Sequence, residues 1–299
     1  MTSCLDSYSL MIVSTYFKHP SDFLNIIQTN SKHRELLDKF HYNPIPLKTL
    51  SLFPNLYTLH IYNQTDPFLD HVGIYHIDFT VSFEKSLFYK RFYNVIFSKI
   101  CFTQSDSFVF GKIFREGITS FGECAFSMSD FEVLNYEFLD EGLYKGFQNS
   151  WAVDIFPRSV RVFGKRCFEN SRRLRVVRIP SYVLEIGKFC FQSCSSLEYV
   201  EVSSNITILP EKCFYRCCNL KIFVVVEQEE KYSNLRIVKE QCFEMCCQLS
   251  LVKLSVSVQK IEKRAFACCE MLREIKICGK TVVDKDAFGE SKTTNVVFV

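Results

Sequence analysis

Apolar positions in the last 140 or so residues recur in a fixed frame. Aligned on Phe168, Phe191, Phe214, Phe243, Phe266 and Phe288, the chain repeats at spacings of 23, 23, 29, 23 and 22 residues. The residue before each Phe is Cys or Ala: Cys167, Cys190, Cys213, Cys242, Ala265 and Ala287. Three residues after it come Ser171, Cys194, Cys217, Cys246, Cys269 and Ser291. Six after it stand Leu174, Leu197, Leu220, Leu249 and Leu272, and then Thr294, which departs from the column. Positions nine and eleven are apolar in every unit, from Val177 and Ile179 to Val297 and Val299. Two apolar positions with one residue between them predict a short strand with one buried face. The Phe and its small neighbours fall on the far side of the coil, in a tight helical turn. A unit this short cannot enclose its own apolar face, whereas stacked units bury one continuous core. Each large apolar side chain so buried contributes about 1.5–3 kcal/mol against the entropy of ordering the coil.

The frame fades upstream. Ile118, Phe121, Gly122, Ala125 and Phe126 fit it, and the unit around Phe147 keeps part of it. Cys101-Phe102 and Leu56-x-x-Leu59-x-Ile61 read as worn rungs. The six extra residues of the 29-residue unit fall at Glu227–Asn234 and predict a polar loop. Residues 5–43 follow another period: Leu10, Ile12, Val13, Tyr16, Phe17, Phe23, Leu24, Ile26, Ile27, Leu36, Leu37 and Phe40 recur at helical spacing. Pro20-Ser21-Asp22 breaks that pattern and restarts a helix, and Asn43-Pro44-Ile45-Pro46 ends it. These helices are read as a cap over the first rung.

Ile186-Gly187-x-x-Cys190-Phe191-x-x-Cys194-x-x-Leu197-x-x-Val200-x-Val202 resembles the BspA-type leucine-rich repeat, and Phe163-Gly164 with Pro180 match it too. The resemblance implies an α/β fold: a leucine-rich-repeat solenoid of short parallel strands and short helical turns, with an N-terminal helical cap. The expected division is a cap over 1–45, an irregular section with possible degenerate repeats over 46–117, and regular repeats over 118–299. It also implies an interaction protein, since no enzyme activity travels with the repeat. Ile12–Arg34 is similar to an F-box helical module, with Tyr8-Ser9-Leu10 where a Leu-Pro opening usually stands. That similarity implies, as an alternative, a substrate adaptor of a ubiquitin ligase. Surface members of the BspA-like group imply a third reading, a cell-surface adhesin.

Composition narrows these expectations. The 299 residues are 47% hydrophobic and 23% charged, a globular balance. A net charge of +3 does not announce a nucleic-acid or membrane partner. Met1–Leu10 has no basic start, Leu10–Val13 is too short for a signal core, and no run reaches the roughly 18 apolar residues of a membrane span. The expected location is therefore cytoplasmic, which disfavours the adhesin. The 15 Cys, an odd number, are expected to be reduced thiols. Cys217-Cys218, Cys246-Cys247 and Cys268-Cys269 imitate paired metal ligands, but adjacent cysteines on one turn rarely face one ion, and the columns assign them to packing.

No catalytic or cofactor site is expected. All six His lie before residue 77, outside the regular repeats, and no phosphate-loop, dinucleotide or H-E-x-x-H motif is present. The basic run from Arg158 to Arg178 is read as solvent positions pointing several ways rather than as a phosphate-binding patch. The candidate protein-binding face consists of residues between the buried strand positions: Arg175, Arg178, Tyr199, Glu201, Lys221, Ile222, Leu251, Lys253, Arg273 and Lys276. A protein or peptide is the expected ligand, with Tyr199 and the arginines as anchors. The strand-forming run Asn295–Val299, with no capping segment after it, adds an expectation of self-association at that end.

Overall fold

Alternating burial builds the longer strands of the repeats. Val177, Val200, Phe223, Val252 and Ile275 are all buried at the first inward position, and Ile179, Val202, Val225 and Ile277 at the second. The computed structural model describes residues 6–29, 33–135, 153–226, 233–291 and 295–298. It comprises two compact units, Met1–Ile100 and Cys101–Val299.

In the first unit, helix α1 (Ser7–Ser14) is capped by the Asp6 carboxylate, which accepts from the Tyr8 and Ser9 N–H groups. Helix α2 (Pro20–Thr29) begins at the predicted break, where proline suits the first helical position. Its Phe23 is fully buried, with its ring 5.0–5.9 Å from those of Phe17, Phe53 and Phe40. Strands β1 (Thr58–Ile61) and β2 (Ile74–Ser82) pair in parallel, with His60 opposite His76. Leu59 and Ile61 are buried. Helix α3 (Phe83–Phe92), capped by the Ser82 hydroxyl, leads to β3 (Val95–Phe102), which lies on the other side of β2 from β1.

The second unit is the solenoid. Its entry carries α4 (Gln104–Phe110), closed by a capping box between Thr103 and Asp106. Short and longer parallel strands then recur through the stack, the short ones divided between two sheets. Short strands β4 (Ser120–Phe121), β7 (Val162–Phe163) and β9 (Glu185–Ile186) pair in succession. Four more short strands continue the pattern: β11 (Ile208–Leu209), β13 (Ile237–Val238), β15 (Lys260–Ile261) and β17 (Val282–Val283). The longer strands are β5 (Val133–Asn135), β6 (Val153–Ile155), β8 (Val176–Ile179), β10 (Tyr199–Val202), β12 (Ile222–Val225), β14 (Leu251–Lys253), β16 (Glu274–Ile277) and β18 (Asn295–Phe298). They form one sheet, in the order β18-β16-β14-β12-β10-β8-β5-β6.

The frame phenylalanines form a single column of rings. Successive centroids from Phe168 through Phe191, Phe214, Phe243 and Phe266 to Phe288 lie 5.0–5.5 Å apart, with planes within 4–11°. Upstream, Phe126 stacks on Phe168 at 5.6 Å and Phe102 on Phe126 at 5.2 Å. Among the described residues, no ring stands between Phe126 and Phe168, and β4 pairs directly with β7. Phe147, Thr294, Val299 and residues 227–232 of the polar loop lie outside the described residues.

The turn bearing each Phe is tight, as expected, but its backbone alternates hand instead of winding as a helix. The residues two before and two after the Phe have positive φ in rung after rung: Arg166 and Asn170, Phe189 and Ser193, Lys212 and Arg216, Gln241 and Met245, Arg264 and Cys268. Left-handed geometry costs a non-glycine residue about 1–2 kcal/mol. What offsets it is a ladder between rungs. The Arg166, Phe168 and Asn170 N–H groups donate to the Lys188, Cys190 and Gln192 carbonyls, and each later rung repeats the pattern.

The cysteine three after each Phe belongs to the same system. The Cys194, Cys217, Cys246 and Cys269 thiols donate to the carbonyls of Phe168, Phe191, Phe214 and Phe243, at 3.1–3.3 Å. Ser171 makes the equivalent bond to Phe126 at 3.4 Å. Burial pushes the Cys217 and Cys246 thiols far above their ordinary range, so they stay protonated and keep the hydrogen they donate. The packing slot is thus also a donor slot. Glycine serves a third contact. A Cβ on Gly187 would lie 2.5 Å from the Gly164 carbonyl carbon, and one on Gly164 would lie 2.5 Å from that of Gly122. The rungs approach this closely only because those side chains are missing.

Candidate functional site

Pairing register aligns the outward positions of the long-strand sheet into rows. Arg178 stands opposite Glu201, Glu201 opposite Val224, Val224 opposite Lys253 and Lys253 opposite Lys276. A second row runs Tyr199, Ile222, Leu251. Neighbouring residues in a row are about 4.8 Å apart, the strand spacing. One partner group can therefore touch two or three rungs. Arg175, Lys221 and Arg273 sit one residue before their strands and border the second row.

All ten candidate residues reach the surface. Arg175, Arg178, Tyr199, Glu201 and Ile222 are half-buried, while Lys221, Leu251, Lys253, Arg273 and Lys276 are exposed. Val176, which shares the outward parity of β8, is buried. Over the first rungs the charges engage one another. Arg175 and Lys221 flank Glu198 at 3.2 and 2.7 Å, a bridge across three rungs. Arg178 lies 3.6 Å from the Glu201 carboxylate and 5.7 Å from the centre of the Tyr199 ring, and the Tyr199 hydroxyl donates to Glu201 at 2.9 Å. Tyr199, Arg178 and Glu201 are therefore a prearranged cluster rather than three independent side chains. Toward β16 the surface opens, and Leu251 is 41% exposed.

The basic run from Arg158 to Arg178 is dispersed around the coil. Lys165 pairs with Glu123 beside one turn, Arg166 lies over the Phe189 ring, Arg161 over the Tyr182 ring, and Arg173 bonds Glu132 near the long-strand sheet.

A groove on the short-strand side was not anticipated. It has a volume of about 760 Å³ and is lined by Leu184, Ile208, Glu211, Lys239 and Glu262 among others. Several of its charges are paired: Lys188 with Glu211 at 2.9 Å, and Glu262 with Lys239 and Lys260 at 3.0 and 3.1 Å. Burial pushes the Glu262 carboxyl up, but the two ammonium groups outweigh it and hold the pKa below the usual carboxylate range. The signal for this groove is the polar pair three and four residues before Phe243 and Phe266, Lys239-Glu240 and Glu262-Lys263. The buried columns on either side obscure it.

Stacked parallel rungs, a column of aromatic rings and a solvent-facing strand surface define a leucine-rich-repeat solenoid. The BspA type leucine rich repeat region matches residues 139–233 and 222–299 in six copies, more than half of the chain, and the chain belongs to that family. Its repeats are generally associated with binding rather than catalysis. Among solved structures, it is similar to a leucine-rich repeat protein from Eubacterium ventriosum ATCC 27560, with 16% identity over 80% of this chain and 78% of that one and a TM-score of 0.46. It is also similar to a leucine-rich repeat protein from Bacteroides ovatus ATCC 8483, with 18% identity over 81% and 72% and a TM-score of 0.42. A leucine rich cell surface protein from Faecalibacterium prausnitzii A2-165 matches at 13% identity over 81% and 87%, with a TM-score of 0.30. No curated protein matches the chain. None of these comparisons supports the F-box-like reading of the N-terminal helices. Among the described residues, no helix is long and apolar enough to cross a membrane.

Proposed function

We propose that the protein is a non-catalytic scaffold that binds a protein or peptide on the outward face of the long-strand sheet. The observation that carries this reading is the apolar row Tyr199, Ile222 and Leu251, bordered by charge in continuous register. An apolar strip inside a polar rim is the composition of a protein-binding surface. Arg175, Arg178, Lys221, Lys253, Arg273 and Lys276 outnumber Glu198, Glu201 and Glu274 on this face. Complementarity therefore favours an acidic partner surface, with binding that weakens as salt rises. The Tyr199–Arg178–Glu201 cluster supplies a rigid aromatic anchor whose side chains are already ordered, which lowers the entropy cost of association.

The test uses the partner recovered with the full chain from its source. Tyr199→Ala and Arg178→Ala are each expected to weaken affinity by at least about tenfold, the hot-spot range. The double variant should lose less than the sum, because the two side chains already interact. Affinity unchanged in the double variant removes this face as the binding surface.

A further inference from the structure

The outward face of the first unit holds a group of side chains that the binding reading does not use. Parallel pairing of β1 with β2 places His60 beside His76, and their imidazoles stack with centroids 4.6 Å apart and planes 25° apart. Two residues along β2, the strand period returns Asp78 to the same face. Its carboxylate lies between the two rings: Oδ2 is 2.7 Å from His60 Nδ1, and Oδ1 is 2.9 Å from His76 Nδ1. One nitrogen from each ring and one carboxylate oxygen all lie within 4.8 Å of one another.

The surroundings hold these groups in place. The His60 ring also contacts the Tyr42 and Tyr62 rings, at 5.4 and 5.8 Å, and its backbone N–H donates to Asn43 Oδ1 at 2.6 Å. The Ser98 hydroxyl on β3 donates to Asp78 Oδ1 at 2.9 Å and orients the carboxylate from outside. The three side chains are about a quarter exposed, open enough for an ion to enter and keep bound water.

We propose that His60, His76 and Asp78 form a binding site for a divalent transition-metal ion of the zinc class. Two imidazole nitrogens and one carboxylate oxygen suit such ions, and hard cations such as calcium prefer an all-oxygen set. Ligand atoms about 2.0–2.2 Å from one ion sit about 3–3.5 Å from each other. The present nitrogen–oxygen distances are already close to that spacing. The ion takes the place of the hydrogen bonds between the rings and Asp78, each neutral imidazole binding through Nδ1 with its single proton on Nε2. Water fills the other coordination positions. Ser98 becomes the outer-shell partner that aims the carboxylate.

The experiment uses the full chain with its accessible thiols capped by iodoacetamide, because cysteines also take these metals. Cobalt(II) is titrated and followed by its visible absorption, and zinc is then added as competitor. The proposal expects one cobalt per chain, a spectrum of nitrogen and oxygen ligands without thiolate charge transfer, and displacement by zinc. Asp78→Ala and His76→Ala should each weaken binding more than a hundredfold, and Ser98→Ala by about 10–100-fold, the usual effect of losing an outer-shell partner. If the capped wild-type chain takes up no cobalt, the site does not exist. If binding is as tight in Asp78→Ala and His76→Ala, the ion sits elsewhere.

Discussion

Replacing Phe214 by alanine removes the ring that links two halves of the aromatic column. Phe214 is fully buried, with Phe191 and Phe243 stacked on either face at 5.5 and 5.3 Å and Phe223 edge-on at 5.8 Å. A buried Phe→Ala change costs about 3–5 kcal/mol through lost transfer energy and the cavity left behind. Neighbouring rungs cannot collapse into that space without breaking the ladder from the Phe214 N–H to the Cys242 carbonyl. The loss is therefore expected near the upper end, about 4–5 kcal/mol. Phe288→Ala is the internal comparison. That ring stacks on Phe266 at 5.5 Å but is only half-buried, so about 1–2 kcal/mol is expected. Urea unfolding of the full chain gives both values, and amide exchange locates them. Exchange should quicken at Phe191, Phe214 and Phe243 in the first variant, while β1 and β2 keep their rates, because each rung depends on its neighbours. Equal losses in the two variants, or a loss below about 2 kcal/mol at Phe214, would refute the stacked-column account.

Three further outcomes follow from the inter-rung contacts. Gly187→Ala forces a Cβ against the backbone of the preceding rung and should cost about 1–3 kcal/mol by urea unfolding. Gly289→Ala, whose nearest neighbour would be the Asp286 carbonyl at 3.3 Å, should cost clearly less. Cys217→Ala leaves the Phe191 carbonyl without its thiol donor and should cost about 1–3 kcal/mol, whereas Cys217→Ser should recover part of that, as Ser171 does in the same column. Glu262 has a lowered pKa when folded, so its contribution is complete above the ordinary glutamate value of about 4.3 and is lost as pH falls through the lower folded value. Stability measured from about pH 7 down to about pH 3 should fall less steeply in Glu262→Gln than in the native chain.

The repeat was legible because six columns recur together. A position that is Leu in five units and apolar three and five residues on has few structural explanations. The outward rows followed directly from the strand period, and the long strands carry them at Tyr199, Ile222 and Leu251. The turn was less legible. Its left-handed residues are Arg166, Phe189, Lys212 and Gln241, types that give no sign of positive φ, and the cost is met by hydrogen bonds from the next rung rather than by local preference. The stacking of Phe126 on Phe168 was hidden because the spacing invites a unit at Phe147. The pairing of His60 with His76 depends on a register between strands that a single sequence does not reveal.

The surface assignment is tested most directly by placing a photo-crosslinking residue at Ile222, in the outward row, and separately at Leu184, in the short-strand groove, each in the full chain in its native setting. The account predicts a discrete crosslinked partner from Ile222 and none from Leu184. A partner captured from Leu184 and not from Ile222 would move the binding surface to the opposite side of the coil and contradict it.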